Sequence, residues 1–228
     1  LVGSEMCIRD RIDAVLFDLD GTLIETDDEA VQILAGRLRP LSWLLPGKDP
    51  DRVARGLLMA FERPATAVLA LLDRVGLDDE LFSMASRLRR LRGVQTAYRF
   101  RPVDGTSNIL RELGNRYYLG IVTTRSHREA QRYLAQQDLT DLVQVVTGRD
   151  DTWRIKPHPS PVRHTAEQLG IPVERCLLVG DTPTDIQAAR AAGAHSVGVL
   201  CGFGRQEDLE RAGADMILNT TSDLSQWL

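Results

Sequence analysis

Lysine is nearly missing from this chain: Lys48 and Lys156 stand against 26 arginines in 228 residues. A chain that otherwise uses arginine has a chemical reason where it keeps the compact ammonium in place of the broad guanidinium. Cysteine is also scarce. Cys7, Cys176 and Cys201 are odd in number and lack metal-ligand spacing, and reduced thiols in a cytoplasmic protein are the simplest reading. No apolar run approaches the ~20 residues of a membrane-spanning helix. There is no basic excess either. A net charge of -4 gives no reason to expect nucleic acid or an anionic membrane as partner. What remains, 43% hydrophobic and 26% charged, is the composition of a soluble globular protein with room for one domain and a smaller insert. Residues 1–11 have no continuity with the rest of the chain. They resemble a translated adapter scar and are expected to be non-native.

The stretch that organises the rest is Ala14-Val15-Leu16-Phe17-Asp18-Leu19-Asp20-Gly21-Thr22-Leu23. The apolar run has the length and bulk of a strand buried on both faces, ending near Asp18. Asp18 and Asp20, two apart, point the same way from an extended chain. Two acids crowded at the end of a buried strand repel unless a cation or a shared proton offsets them. That makes this stretch a site, not a packing feature.

After Leu23 the pattern turns helical. Thr26-Asp27-Asp28-Glu29 reads as a capping box, followed by Ala30, Ile33, Leu34 and Leu38 at helical spacing. Beyond a break at Pro40–Pro50, amphipathic segments over 51–61, 64–75 and 78–92 predict an all-helical insert. Arg87–Arg92 in it reads as a solvated helix end, with a contact to an anionic substrate as the alternative; Lys48 reads as an exposed loop lysine with the same alternative. From Tyr98 strands and helices alternate: a helix from Asp104-Gly105 to Gly114, strand 117–122, helix 127–137, strand 142–146, a helix capped by Ser160 with Pro161 at its first position, strand 176–179, helix 183–192, strand 196–200 and an edge strand 215–218. This order predicts an α/β fold, a doubly wound parallel sheet with an inserted all-helical domain. The boundaries are 12–24 and 99–228 for the core and 25–98 for the insert.

In such sheets ligands bind beyond the carboxyl ends of the strands. Asp18 and Asp20, Thr123 and Asp181 fall at strand ends, and Lys156 lies in the loop after the third strand. Asp18 is placed to attack phosphorus, and Asp20 to protonate the leaving oxygen and then deprotonate water. Thr123 offers a hydroxyl and a backbone N–H to phosphoryl oxygens, and Lys156 neutralises charge on the phosphoryl group and on Asp18. Asp181 and Asp185, four apart at a helix start, share a face; with Asp18 they can hold a hard cation, and octahedral Mg²⁺ suits a cleft that also takes phosphate.

Asp18-x-Asp20-Gly-Thr, Thr123, Lys156 in Lys-Pro-His-Pro and Asp181…Asp185 resemble, in order, the four motifs of the haloacid dehalogenase superfamily. The resemblance covers residues 12–228. It implies a Rossmann-like core with a C1 helical cap, Asp18 as nucleophile and Mg²⁺ ligand, and Asp20 as acid/base with its backbone carbonyl on Mg²⁺. It further implies phosphate binding at Thr123 and Lys156, with Thr124 beside them, Asp181 as a metal ligand, and Asp185 as a ligand through water or a residue orienting Lys156. The segments Gly198–Gly204, Glu207-Asp208-Leu209 and Ala212–Asp215 look like phosphoglycolate phosphatase relatives. Those relatives usually carry asparagine after the second-motif threonine. Here Thr124 and then Arg125 follow it, a departure that bears on substrate or cap contacts. Trp153, in a long loop, is expected to pack that loop or to wall the cleft.

The implied activity is Mg²⁺-dependent hydrolysis of a small-molecule phosphate monoester by a monomer or homodimer. Dehalogenases need neither a leaving-group acid nor a metal, so Asp20, Asp181 and Asp185 argue against that chemistry. A phosphonatase needs a cap lysine of lowered pKa, and the Pro-Gly-Lys-Asp-Pro loop around Lys48 is not a desolvated setting. A sugar phosphomutase of the β-phosphoglucomutase kind and a non-catalytic binding relative are the alternatives.

Overall fold

The computed structural model describes residues 11–25, 36, 38–40, 50, 53 and 100–228. The chain divides into two compact units, one of residues 1–26 and 99–228 and one of 27–98. The predicted insert helices, Lys48 and Arg87–Arg92 lie outside the described residues.

The first unit is built on six parallel strands: β1 (Ala14–Phe17), β2 (Tyr118–Val122), β3 (Val145–Thr147), β4 (Cys176–Gly180), β5 (His195–Val199) and β6 (Met216–Leu218). Their order is β3-β2-β1-β4-β5-β6. β1 is central, and the direction of strand addition reverses beside it, between β1 and β4. The crossovers carry α1 (Thr106–Leu113), α2 (His127–Gln136), α3 (Ser160–Leu169), α4 (Pro183–Ala192) and α5 (Gln206–Ala212). This is the doubly wound sheet expected from the alternation of strands and helices. Among the described residues no helix is long and apolar enough to cross a membrane.

The unbroken apolar run of β1 follows from its place, since every one of its residues is fully buried. Val15 and Phe17 join a core with Ile109, Leu110 and Leu113 of α1 and with Tyr133 and Leu134 of α2. Ala14 and Leu16 face the other way, onto Val162 and Ala166 of α3 and Ala188 and Ala189 of α4. The period of two along the strand thus sorts its side chains between two helical layers.

Most boundaries agree with expectation to within a residue or so, and β3, α3 and β5 show where they differ. β3 begins at Val145, because Thr140–Leu142 closes a 3₁₀ turn. The side chain of Gln144 also takes the place of a ladder partner, its Oε1 accepting from the Leu119 N–H at 2.7 Å. Ser160 is not a cap but the first residue of α3, with Pro159 as N-cap and its own N–H donating to His158 Nδ1 at 3.2 Å. β5 starts at His195 and stops at Val199, one residue earlier than the apolar run suggests.

Candidate active site

The site forms where β1, β2 and β4 end. The Asp18 N–H donates to Val179 O at 2.9 Å, so parallel pairing with β4 runs one residue past β1 and carries Asp18 to the rim. Leu19 turns into the core, which leaves Asp18 and Asp20 on the opposite side of the chain. The backbone then curls tightly: Leu19 O accepts from the N–H groups of Leu23 at 2.9 Å and Ile24 at 2.8 Å. Gly21, at φ 78°, makes the curl without strain. A Cβ at Gly21 or at Gly202 would strike the Asp181 carboxylate, so these glycines let two loops close over one acid.

Lys156 is buried at the centre. Its Nζ lies 2.7 Å from Asp18 Oδ1 and 2.6 Å from Asp185 Oδ1, and donates to Val122 O, the last carbonyl of β2, at 2.9 Å. The scarcity of lysine has its reason here: a point cation fits between two carboxylates and a strand end. Asp181, directly after β4, is fully buried and accepts from the Phe203 N–H through Oδ2 at 2.6 Å. It precedes α4 rather than lying on it. Asp185, inside the first turn of α4, does two jobs at once. Its Oδ2 accepts from the Thr182 N–H at 3.0 Å and from the Thr182 hydroxyl at 2.5 Å, capping the helix, while Oδ1 faces Lys156. One carboxylate thus makes both the capping contacts and the contact with Lys156.

Asp18, Asp181 and Asp185 each present an oxygen within 4.8 Å of the others. Their three Oδ1 atoms are buried and receive no aligned hydrogen bond, even where Lys156 stands at ion-pair distance. A buried acceptor left this way costs free energy, and three carboxylates face one ammonium. Burial, the largest influence, pushes Asp18 up to about 7 against the pull of Lys156, with Asp185 and Asp20 adding to the rise. Burial and the charges of Asp185 and Asp18 drive Asp181 well above the usual carboxylate range. Burial lowers the Lys156 ammonium, but Asp18 and Asp185 outweigh it and the net direction is up. The donor set is all oxygen, negative and clustered, and it fits a hard divalent cation such as Mg²⁺.

This carries a sign that can be measured. Asp18 keeps its proton in the fold between the ordinary carboxyl value of 3.8 and about 7, where the unfolded chain has lost it. The stability it contributes is complete below the lower value and is lost as pH rises through the upper one. A cation competes with that proton. Mg²⁺ at a fixed concentration a hundredfold above its dissociation constant at pH 8 is expected to stabilise the protein there by about 2.7 kcal/mol, and the same concentration is expected to give a smaller rise in Tm against a chelated sample at pH 5. Equal rises at the two pH values would contradict a cation site at these carboxylates.

Thr123, buried at the end of β2, keeps its hydroxyl hydrogen available, since Oγ1 is the acceptor of the Arg125 N–H at 3.1 Å. The expectation for its backbone is corrected: the Thr123 N–H donates to Thr147 O at 3.0 Å and is spent in the sheet, not open to a phosphoryl oxygen. Thr124 is half-buried in the same loop. Trp153 is 83% exposed and does not fill the interior of its loop. Sequence reasoning misses the partner of Asp20. Arg125 grips it, Nε donating to Oδ1 and Oδ2 at 3.0 and 2.8 Å and Nη2 to Oδ1 at 2.6 Å. Burial lowers the Arg125 pKa, but the hydrogen bonds and charge of Asp20 outweigh it and the net direction is up. The only sequence signal is the position of Arg125 beside Thr123 and Thr124.

Comparison with known proteins agrees with this geometry. Residues 15–199 match the family model of haloacid dehalogenase-like hydrolases. Phosphoglycolate phosphatase of Escherichia coli K12 is 32% identical over 93% of this chain and 91% of its own length. That of Salmonella typhimurium is 30% identical over 94% and 91%. Among solved structures, a haloacid dehalogenase-like family hydrolase from Streptococcus pneumoniae superposes with a TM-score of 0.64 at 24% identity, over 96% of this chain and 99% of its own. A predicted beta-phosphoglucomutase from Thermotoga maritima gives 0.64 at 21%, over 95% and 100%; at these identities the two structures speak for the fold alone. The match along 15–199, on a sheet whose strand ends gather Asp18, Lys156, Asp181 and Asp185, makes this chain a member of the haloacid dehalogenase-like hydrolase family.

Proposed function

We propose that this phosphoric monoester hydrolase acts on a small-molecule phosphate, in the manner of its phosphoglycolate phosphatase relatives, through an aspartyl phosphate formed on Asp18. The observation that carries the reading is the trio of buried Oδ1 atoms on Asp18, Asp181 and Asp185 around the Lys156 ammonium. Asp18 attacks phosphorus while the bond to the ester oxygen breaks, and Asp20 protonates that oxygen as it leaves. Asp20 then takes a proton from water, which attacks the same phosphorus and returns Asp18 as a carboxylate. Lys156 holds the phosphoryl group and the nucleophile together, two anions that would otherwise repel. The Thr123 hydroxyl and Thr124 bind the remaining phosphoryl oxygens. The Asp18, Asp181 and Asp185 carboxylates, with the Asp20 backbone carbonyl, would hold Mg²⁺. When bound, Mg²⁺ supplies positive charge that stabilises the developing negative charge on the phosphoryl oxygens.

The choice of ester is assigned in this reading to residues 25–98, the expected cap. In this reading the setting is the cytoplasm, where thiols such as those of Cys176 and Cys201 stay reduced.

The test is phosphate release from a panel of esters (phosphoglycolate, sugar phosphates, p-nitrophenyl phosphate), with Mg²⁺ and with chelator. Release that requires Mg²⁺ is expected, with the fastest ester naming the substrate class. A phosphoryl group moved between positions of a sugar, with no free phosphate, would replace the hydrolase by a mutase. No turnover of any ester would leave a binding protein.

A further inference from the structure

Asp20 does not stand alone at the rim. Arg125 engages both its oxygens, and the Arg125 guanidinium lies over the Phe100 ring at 5.4 Å. Phe100 is itself fixed edge-on to Tyr133, with ring centroids 5.9 Å apart. Arg125 Nη1 stands 4.0 Å from Glu129 Oε1, in the first turn of α2, and Arg149 Nη1 stands 3.3 Å from Glu129 Oε2. The backbone ties the same parts together, as the Arg149 N–H donates to Arg125 O at 2.9 Å. Four charges of alternating sign thus run from the loop after β3, through the start of α2, to the second aspartate.

We infer that Arg125 is a positioning residue, which with Glu129 and Arg149 holds the Asp20 carboxylate in the orientation that proton transfer to the leaving group needs. The inference rests on the hydrolase reading above. A fork donating to both oxygens fixes the plane of a carboxylate in a way that one ammonium or a water cannot. The count of bonds also distinguishes the two oxygens. Oδ1 accepts from both Nε and Nη2 and Oδ2 from Nε alone, so Oδ2 is the less occupied oxygen. Arg125 touches neither Lys156 nor the three clustered carboxylates through any ion pair found among the described residues, so its substitution leaves the nucleophile's own partners in place.

The experiment compares two esters of similar shape, phenyl phosphate, whose leaving oxygen needs a proton, and 2,4-dinitrophenyl phosphate, whose leaving oxygen does not. It reads kcat/KM, which reports steps only as far as the phosphoenzyme. For Arg125→Met a loss on the order of 10²-fold is expected on phenyl phosphate and under about tenfold on the dinitrophenyl ester. Arg125→Lys is expected to recover part of the difference, and Glu129→Gln to show it in weaker form. A residue of merely structural or substrate-binding role would lower both esters alike. Equal losses, no loss, or a gain in rate would overturn the inference. If wild type hydrolyses both esters and Arg125→Met fails to separate them, only the positioning role falls. If wild type hydrolyses neither with Mg²⁺, the hydrolase reading falls and takes this one with it.

Discussion

Asp18→Asn is expected to abolish ester hydrolysis and, in the metal-free protein, to raise thermal stability. The two effects share one cause. The Asp18 carboxylate lies in a buried cluster where Asp181 and Asp185 crowd it and where Lys156 is the one ammonium within ion-pair reach among the described residues. An amide of nearly the same shape removes a negative charge from that cluster and removes the attacking oxygen. For a group that forms the covalent intermediate, the fall in kcat is expected to reach at least about four orders of magnitude. Relief of like-charge repulsion acts the other way on stability, and each kcal/mol appears as a Tm shift of about 2–4 °C in a chain of this size. Thermal unfolding in chelator, set beside phosphate release in Mg²⁺, checks both signs in one preparation. A variant that keeps a tenth of wild-type activity, or whose metal-free form melts well below wild type, would contradict the account.

Lys156→Met is expected to cost both activity and stability. The ammonium pairs with Asp18 and Asp185 and donates to Val122 O, and its side chain is 2% exposed. Methionine fills the space but leaves buried carboxylates without a counter-charge, a loss of about 3–5 kcal/mol. That is a large part of the ~5–15 kcal/mol by which most domains are stable. The loss is electrostatic, so it depends on pH with a definite sign. Without Lys156, the carboxylates hold protons more tightly, and the deficit is expected to be smaller at pH 5 than at pH 8. Urea unfolding of both proteins in chelator at the two pH values reads it. A deficit independent of pH would mean that Lys156 acts through packing, not charge.

How far the sequence alone could reach is clear from particular residues. β1 and β4 are legible because a strand buried on both faces must be apolar throughout, and because each stops being apolar where it meets a carboxylate. Asp18, Lys156, Asp181 and Asp185 are legible as a set because Asp18 and Asp181 follow strand ends, Asp185 opens a helix and Lys156 lies in a loop after a strand, and a parallel sheet brings those ends to one rim. The start of β3 is misread because Leu142 and Val143 are as apolar as the strand beyond them; the side chain of Gln144, not a propensity, decides where the ladder begins. The Thr123 N–H is misassigned because its partner, Thr147 O, belongs to another strand. Arg125 cannot be read at all as the partner of Asp20. The pair is 105 residues apart in sequence, and nothing in the sequence around Arg125 names Asp20 as its partner. Its neighbourhood does differ from the expected pattern, at Thr124 and Arg125, and the departure falls on the loop that holds the second aspartate.

The central claim is that phosphorus passes through a covalent bond to Asp18. The most direct measurement is rapid acid quench of the Mg²⁺-loaded enzyme during turnover of its fastest ester, followed by mass spectrometry of its peptides. One phosphoryl group is predicted on Asp18, labile to hydroxylamine and missing from Asp18→Asn. A phosphoryl group on any other residue, or steady turnover with none on the protein at any quench time, would contradict the account.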